Sequence, residues 1–169
     1  MTGAGWALAA SAFFAGLAAG LLGMLSAIMR PMLAAMGGQE FRNFMEAFLR
    51  FAEHSWGLVF NYAWSVGMTI GPIVALVLLW DDPGSAAFVC TAIGLVIVIG
   101  GVLIVSNAWK TPTYKVILAW DPGALPADWE AGRRRYFTIN WIQFATTWAA
   151  AEMALEPEDG EIVQPPPPS

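Results

Sequence analysis

His54 is the only histidine in the chain. Histidine is the residue type best suited to proton transfer near neutral pH. A second chemical feature is the run Arg133-Arg134-Arg135, which stands directly before an apolar segment. That segment opens with Tyr136, Asn140 and Gln143 at i, i+4 and i+7, so all three share one helical face. Asn61, Ser65 and Thr69 repeat the pattern at i, i+4 and i+8 in another apolar segment, and Ser106-Asn107 closes a third. Side chains of this kind bind ligand oxygens or bond neighbouring helices. Lipid satisfies neither need, so the stripes must face protein or a water-filled cavity.

Other chemistries are disfavoured. Glu53 and His54 are adjacent rather than three or four apart, so on a helix they point apart, and there is no second histidine. No metal site is expected from such a set. The phosphate loop, the nucleophile elbow and the dinucleotide fingerprint are all absent. No cofactor is implied. The one cysteine, Cys90, lies in an apolar run and reads as a small hydrophobe; one cysteine cannot form an intrachain disulfide.

The elements that position these residues are membrane spans. Of 169 residues, 57% are hydrophobic and only 12% charged, about half the charge of an ordinary soluble domain. Four apolar runs cover about 6–29, 56–80, 86–108 and 136–155. Arg30-Pro31 closes or kinks the first, and Gly37-Gly38 breaks the chain after it. Ala12, Gly16 and Gly20 leave one face of that span nearly bare. The second span is bracketed by Trp56 and Trp80, and it carries the pair Gly67 and Gly71 with Pro72 beside them. Between the first two spans, about 39–54, Phe41, Phe44, Met45 and Phe48 form an apolar face opposite Arg42, Glu46 and Arg50. This is an amphipathic helix lying in the interface or across the mouth of the helices. Pro112, Pro122, Gly123 and Pro126 rule out one continuous helix over 109–135. Lys115 to Trp120 could be a short helix, and Pro126-Ala127-Asp128-Trp129 reads as a helix start. The fourth span is the weakest by hydropathy. A three-span reading makes 136–155 an interfacial helix instead.

The fold class is therefore all-α: an integral membrane four-helix bundle, 1–155, followed by a disordered acidic and proline-rich tail, 156–169. All eight basic residues fall in the loops 30–55 and 109–135. The positive-inside rule places both loops in the cytoplasm and both termini outside, in a bacterial cytoplasmic membrane. The arginine run also reads as an anchor to anionic lipid. Acids outnumber bases, so nucleic acid is excluded as a partner. The polar residues gather in the cytoplasmic half, and they imply a pocket there or a set of interhelical hydrogen bonds.

Three further segments carry a resemblance. They are Asn107 near the end of the third span, then Ala119-Trp120-Asp121-Pro122, then Trp129, Arg133, Arg135, Tyr136 and Asn140. With Met29-Arg30-Pro31, this order resembles the anthrone-oxygenase-like family of small four-span membrane proteins, over roughly Gly16 to Leu155. Where the family pattern often has arginine, this chain has Gln143. The resemblance implies cofactor-free oxidation of a lipophilic aromatic in a pocket open to the cytoplasm. On that basis His54 is the base, and Arg135 and Asn107 stabilise the enolate. Asn61, Ser65, Trp129, Arg133, Tyr136, Asn140 and Gln143 line the ligand pocket. The alternatives are a non-catalytic membrane partner or assembly subunit, supported by the glycine faces and the tail, and third a small transporter. The expected partners are the bilayer, a small aromatic ligand and a membrane-protein partner.

Overall fold

The computed structural model describes residues 2–155. The acidic, proline-rich tail lies outside the described residues. The described chain folds into five helices: α1 (Gly3–Ala35), α2 (Gly38–Ala52), α3 (Ser55–Leu78), α4 (Ala86–Leu118) and α5 (Trp129–Leu155). Three of them, α1, α3 and α4, are long and apolar enough to cross a membrane. The threonine and serine that precede α1 and α4 cap them: Thr2 Oγ1 accepts from the Gly5 N–H, and Ser85 Oγ from the Phe88 N–H, each at 3.2 Å.

Two helices overrun the boundaries expected from the sequence. α1 runs past Arg30-Pro31 to Ala35, the kinked alternative that ends before Gly37-Gly38, and α4 does not stop at Ala108. In both, the chain passes through π-helical turns before the proline: Met24–Met29 in α1, and Val98–Ile104 and Ser106–Lys110 in α4. Pro31 and Pro112 then fall in the first turn of a new α-helical stretch. A missing N–H is tolerated there. Helix α4 therefore runs on to Leu118 and absorbs most of the short helix expected over 115–120. The turn at Asp121-Pro122-Gly123 forms as read, with Asp121 Oδ1 accepting from the Gly123 N–H at 2.8 Å. Helix α5 starts at Trp129, directly after Asp128.

α1, α3, α4 and α5 pack side by side, each against two neighbours. Their shared interior holds Ala15, Ala18, Met68, Val98, Val102 and Ala150. A second cluster sits beyond it, where the ends of α1 and α4 meet α2. Phe41, Met45 and Leu49 of α2 are buried there against Leu33, Ile117, Trp120 and Tyr136. The amphipathic helix thus packs across the helix ends and covers them.

Helix α5 has 27 residues, but it is not among the three long apolar helices. Its polar residues are why: Asn140, Gln143 and Thr147 are all buried, with Tyr136 on the same face, while Trp141 and Trp148 point outward.

The glycines divide into two groups. Gly67 lies under Phe14, and a Cβ there would sit 2.2 Å from the ring. Gly71 meets Ser11 and the Ala7 carbonyl in the same way. The Gly67/Gly71 pair is thus consumed in packing α3 on α1. A Cβ at Gly16 or Gly20 would meet nothing within 4 Å among the described residues, so that face of α1 is left open.

Gly67→Ala should therefore destabilise the fold by about 1–3 kcal/mol through overpacking. Gly16→Ala should cost nothing and gain a few tenths from helix propensity. Unfolding of the purified protein in mixed micelles, followed by tryptophan fluorescence, checks both. Equal midpoints would show that Phe14 can move aside.

Candidate functional site: a cavity with an internal lysine

A cavity of about 510 Å³ opens between α1, α3, α4 and the end of α2, with Gln143 reaching in from α5. Leu21, Leu22, Leu25, Phe48 and Trp64 give it a mainly apolar wall. The wall from α4 carries the chemistry. Val102, Ser106, Lys110, Tyr114 and Leu118 all line it, at strict four-residue spacing. In a straight α-helix each step of four drifts by about 40°, so the first and last would stand about 160° apart. The π-helical turns at Val98–Ile104 and Ser106–Lys110 are wider, because their bonds close over five residues. They rotate the chain back and hold the five side chains on one wall.

Lys110 is the focus. Its Nζ donates to Gln143 Oε1 at 2.8 Å. Gln143 Nε2 donates in turn to Ser106 Oγ at 2.6 Å and to the Val102 carbonyl at 3.4 Å. The amide is thereby used at both ends. The ammonium has three N–H groups, and one of them is engaged. Among the described residues the ion pairs are Arg42–Glu46 and Arg134–Glu130, so no carboxylate pairs with Lys110. The arrangement is a cation fixed by a neutral acceptor, with donors to spare, beside an apolar space. It suits a ligand with a flat hydrocarbon body and one ionised or strongly accepting oxygen. Glu53 lines the same cavity, as the one carboxylate among its lining residues.

The residues expected at a site are brought together only in part. Asn61, Ser65, Asn107 and Gln143 line the cavity. Asn61 is also structural: its Nδ2 donates to the Ala52 carbonyl at 3.1 Å, and its Oδ1 accepts from Trp64 Nε1 at 3.3 Å. Asn107 does not bond across helices, contrary to expectation. Its Nδ2 donates to the Leu103 carbonyl of its own helix at 2.8 Å, and the residue is exposed. Thr69, Thr91 and Thr147 likewise bond their own helices four residues back. Few of the intramembrane polar groups therefore act as interhelical bonds.

The others stand elsewhere. His54 is exposed at the junction of α2 and α3, with Nδ1 2.8 Å from the Arg50 carbonyl, and it does not line the cavity. Arg135 is exposed and also outside it. Arg133 closes the end of α1: its guanidinium donates to the Met36 carbonyl at 2.7 Å and lies over the Trp129 ring at 4.6 Å. Tyr136 is buried among Phe41, Tyr114 and Phe137. Asn140 is buried one turn further on, its Oδ1 facing no donor among the described residues. Sequence reasoning missed Lys110, Tyr114 and Glu53. Reading Pro112 as a break hid the first two, because the stripe Ser106, Lys110, Tyr114 is visible only on an unbroken helix; Glu53 lies at the end of α2 and no spacing pointed to it.

Gln143→Leu should cost about 1–3 kcal/mol, since it strips Lys110 and Ser106 of their shared partner. Adding Lys110→Met should recover most of the loss, because both partners are then apolar. Asn107→Ala should stay within about 0.5 kcal/mol. Denaturation midpoints of the four proteins in one detergent give the comparison. A double variant no more stable than Gln143→Leu would mean the bridge is not coupled.

The chain matches no family model, no curated protein and no solved structure at a meaningful level, and the reading of the cavity rests on its own geometry.

Proposed function

We propose that this is a four-span membrane protein that takes a lipophilic aromatic with an acidic oxygen into the cavity beside Lys110. The observation that carries the reading is the Lys110–Gln143 contact, a cation held at 2.8 Å by an uncharged amide. An apolar wall and a cation with unused donors select for an ionised phenol, enol or enolate over a neutral hydrocarbon.

α5 is the fourth span in this reading, with its polar face turned inward and its tryptophans toward lipid. The loops 30–55 and 109–135, which hold all eight basic residues, support by the positive-inside rule a cytoplasmic α2 end with both termini outside. The cavity then opens near the cytoplasmic face of a bacterial inner membrane.

The resemblance to anthrone oxygenases suggests the chemistry. An anthrone loses a methylene proton to give an enolate, which reacts with oxygen. The carbon loses two hydrogens in total, one oxygen atom becomes the new carbonyl, and the other leaves as water. Lys110 supplies the positive charge where the family pattern often has arginine at the position of Gln143. Its ammonium meets the enolate oxygen, and stabilisation of charge that develops along the reaction is what lowers the barrier. Glu53, at the same cavity, takes the proton. His54 and Arg135 lie outside the cavity and have no part in this version.

Two measurements test the proposal. Quenching of tryptophan fluorescence on titration with a hydroxylated anthrone should weaken about 10- to 100-fold in Lys110→Met, from the loss of a charge-assisted bond of about 1.5–3 kcal/mol. Oxygen uptake should fall further than binding in Glu53→Gln. Binding that ignores Lys110 would end the cavity reading. Binding without oxygen uptake in the unaltered protein would leave a binding protein and remove the enzyme.

For topology, Cys90→Ala gives a background for single cysteines at two exposed residues, Thr2 and Asn43. An impermeant maleimide added to intact cells should modify the cysteine at 2 and spare the one at 43. The opposite labelling would invert the orientation.

A further inference from the structure

We propose that the outer groove between α1 and α5 is a binding site for one anionic phospholipid, its headgroup on Arg30 and Arg134 and an acyl chain along the groove below. This site is separate from the cavity, and it depends only on the helices lying in a bilayer.

The argument begins with spacing. Gly16, Gly20, Gly23, Ala27 and Arg30 alternate steps of four and three along α1, and Arg134, Thr138, Trp141, Ala145 and Trp148 do the same along α5. The α5 set is therefore one continuous stripe, and so is Gly16 to Gly23 in α1, ahead of the π-helical turns at Met24–Met29. Two contacts lay the stripes beside each other. Gly23 sits under Phe144, where a Cβ would come within 3.1 Å of the ring, and the Arg30 guanidinium lies 5.7 Å from the centre of the Phe137 ring. Beside Arg30, along the face of α5, lies an open groove of about 590 Å³ lined by Arg30, Arg134, Phe137, Thr138, Trp141, Ile142 and Ala145, and Gly16 and Gly20 lie further along α1.

The groove is polarised along its length. Both guanidiniums are at one end. Arg30 terminates the charge-free run of α1, so it stands where hydrocarbon gives way to headgroups. Arg30 has no carboxylate partner among the described residues, and Arg134 has only a 3.4 Å contact with the exposed Glu130. Trp141 lies one to two turns deeper and is 42% exposed, the interfacial position its amphipathic ring favours. Beyond it Ala145 is exposed, and Gly16 and Gly20 leave open space over the α1 backbone. A phosphodiester fits the two cations bidentately, since guanidinium geometry matches phosphate oxygens. An acyl chain fits the small-residue floor, which side chains of this chain leave uncovered. The charge pair selects an anionic headgroup over a zwitterionic one. A second copy of the chain packed on the small stripe would bring Arg30 against Arg30, so like charge opposes it.

Native mass spectrometry of the full chain, released from micelles doped with phosphatidylglycerol or phosphatidylcholine, tests the site. One phosphatidylglycerol should bind in preference to phosphatidylcholine. Arg30→Gln with Arg134→Gln should weaken it about 30-fold, from roughly fivefold per arginine at a membrane surface. Arg134→Gln alone should give the fivefold step. Arg134 is an exposed side chain, so that variant keeps its fold even if the double variant does not. Arg50→Gln, exposed on α2 and away from the groove, should leave binding unchanged. Equal binding of both lipids, or an Arg134→Gln variant that binds as well as the parent, overturns the proposal. Displacement by millimolar inorganic phosphate would make it a bare anion site, and appearance of a dimer in place of bound lipid would make it a protein interface. Either result overturns the lipid assignment.

Discussion

Two helices of this protein are longer than a bilayer is thick. α1 and α4 each have 33 residues, about 50 Å of helix, against a hydrocarbon core of about 30 Å. Both excesses fall at the same end, and both remain rich in apolar side chains. Leu33 and Ile117 cannot be left in water beside each other. Helix α2 answers that constraint by laying Phe41, Met45 and Leu49 over them. The covering helix is thus a consequence of the overrun, and its C-terminal end, with Phe48 and Leu49, supplies one wall of the cavity.

A helix end inside a packed cap leaves carbonyl groups without partners. Three side chains answer them. Arg133 reaches the Met36 and Leu33 carbonyls beyond α1, Arg42 the Leu118 carbonyl of α4 at 3.4 Å, and Asn61 the Ala52 carbonyl of α2. Two of the three are arginines, whose charge also opposes the negative end of the helix dipole. The aromatic contacts around Tyr136 add about 0.5–1.5 kcal/mol for each favourable pair. Residues with the look of a catalytic set therefore perform structural work at the cap, and this is why Arg133 and Tyr136 are poor guides to the site.

Much of the architecture was legible. The three apolar helices, the amphipathic α2, the turn at Asp121 and the buried stripe of α5 all follow from periodicity and composition. What escaped was register. Proline reads as a stop, and that is right for an α-helix continued at i→i+4. It fails at Pro112, and at Pro31 the kinked alternative holds, because π-helical turns precede both and each proline enters a fresh first turn. Nothing in the residue types of Ser106-Asn107-Ala108-Trp109-Lys110 announces a π turn. The four-residue recurrence of Ser106, Lys110 and Tyr114 does, but only once the helix is allowed to continue. The residues expected at a site are gathered at the cavity only in part for the same reason. Asn61 and Ser65 lay on a segment whose limits were right, and Asn107 and Gln143 on segments that the structure only lengthens. Lys110 had been counted as a loop charge.

The pairing of Lys110 with an amide rather than a carboxylate has a physical consequence. An ammonium beside a carboxylate in a poorly solvated space is neutral as a pair, and a ligand gains little from either partner. Glutamine orients the ammonium with one bond but adds no charge. The cavity keeps a net positive charge, since Lys110 and Lys115 line it against the single carboxylate of Glu53, and desolvating a cation without a paired anion costs several kcal/mol. In the proposed function that cost is relieved when an ionised oxygen enters, and affinity is expected to grow with the charge on the ligand rather than with its size. Ser106 and the Val102 carbonyl hold the amide in the orientation that presents Oε1 to the lysine, since the reversed amide would set N–H against N–H. The wide turns of α4 place all three groups on one wall. The local distortion of that helix is therefore the structural condition for a charged pocket in an otherwise apolar bundle.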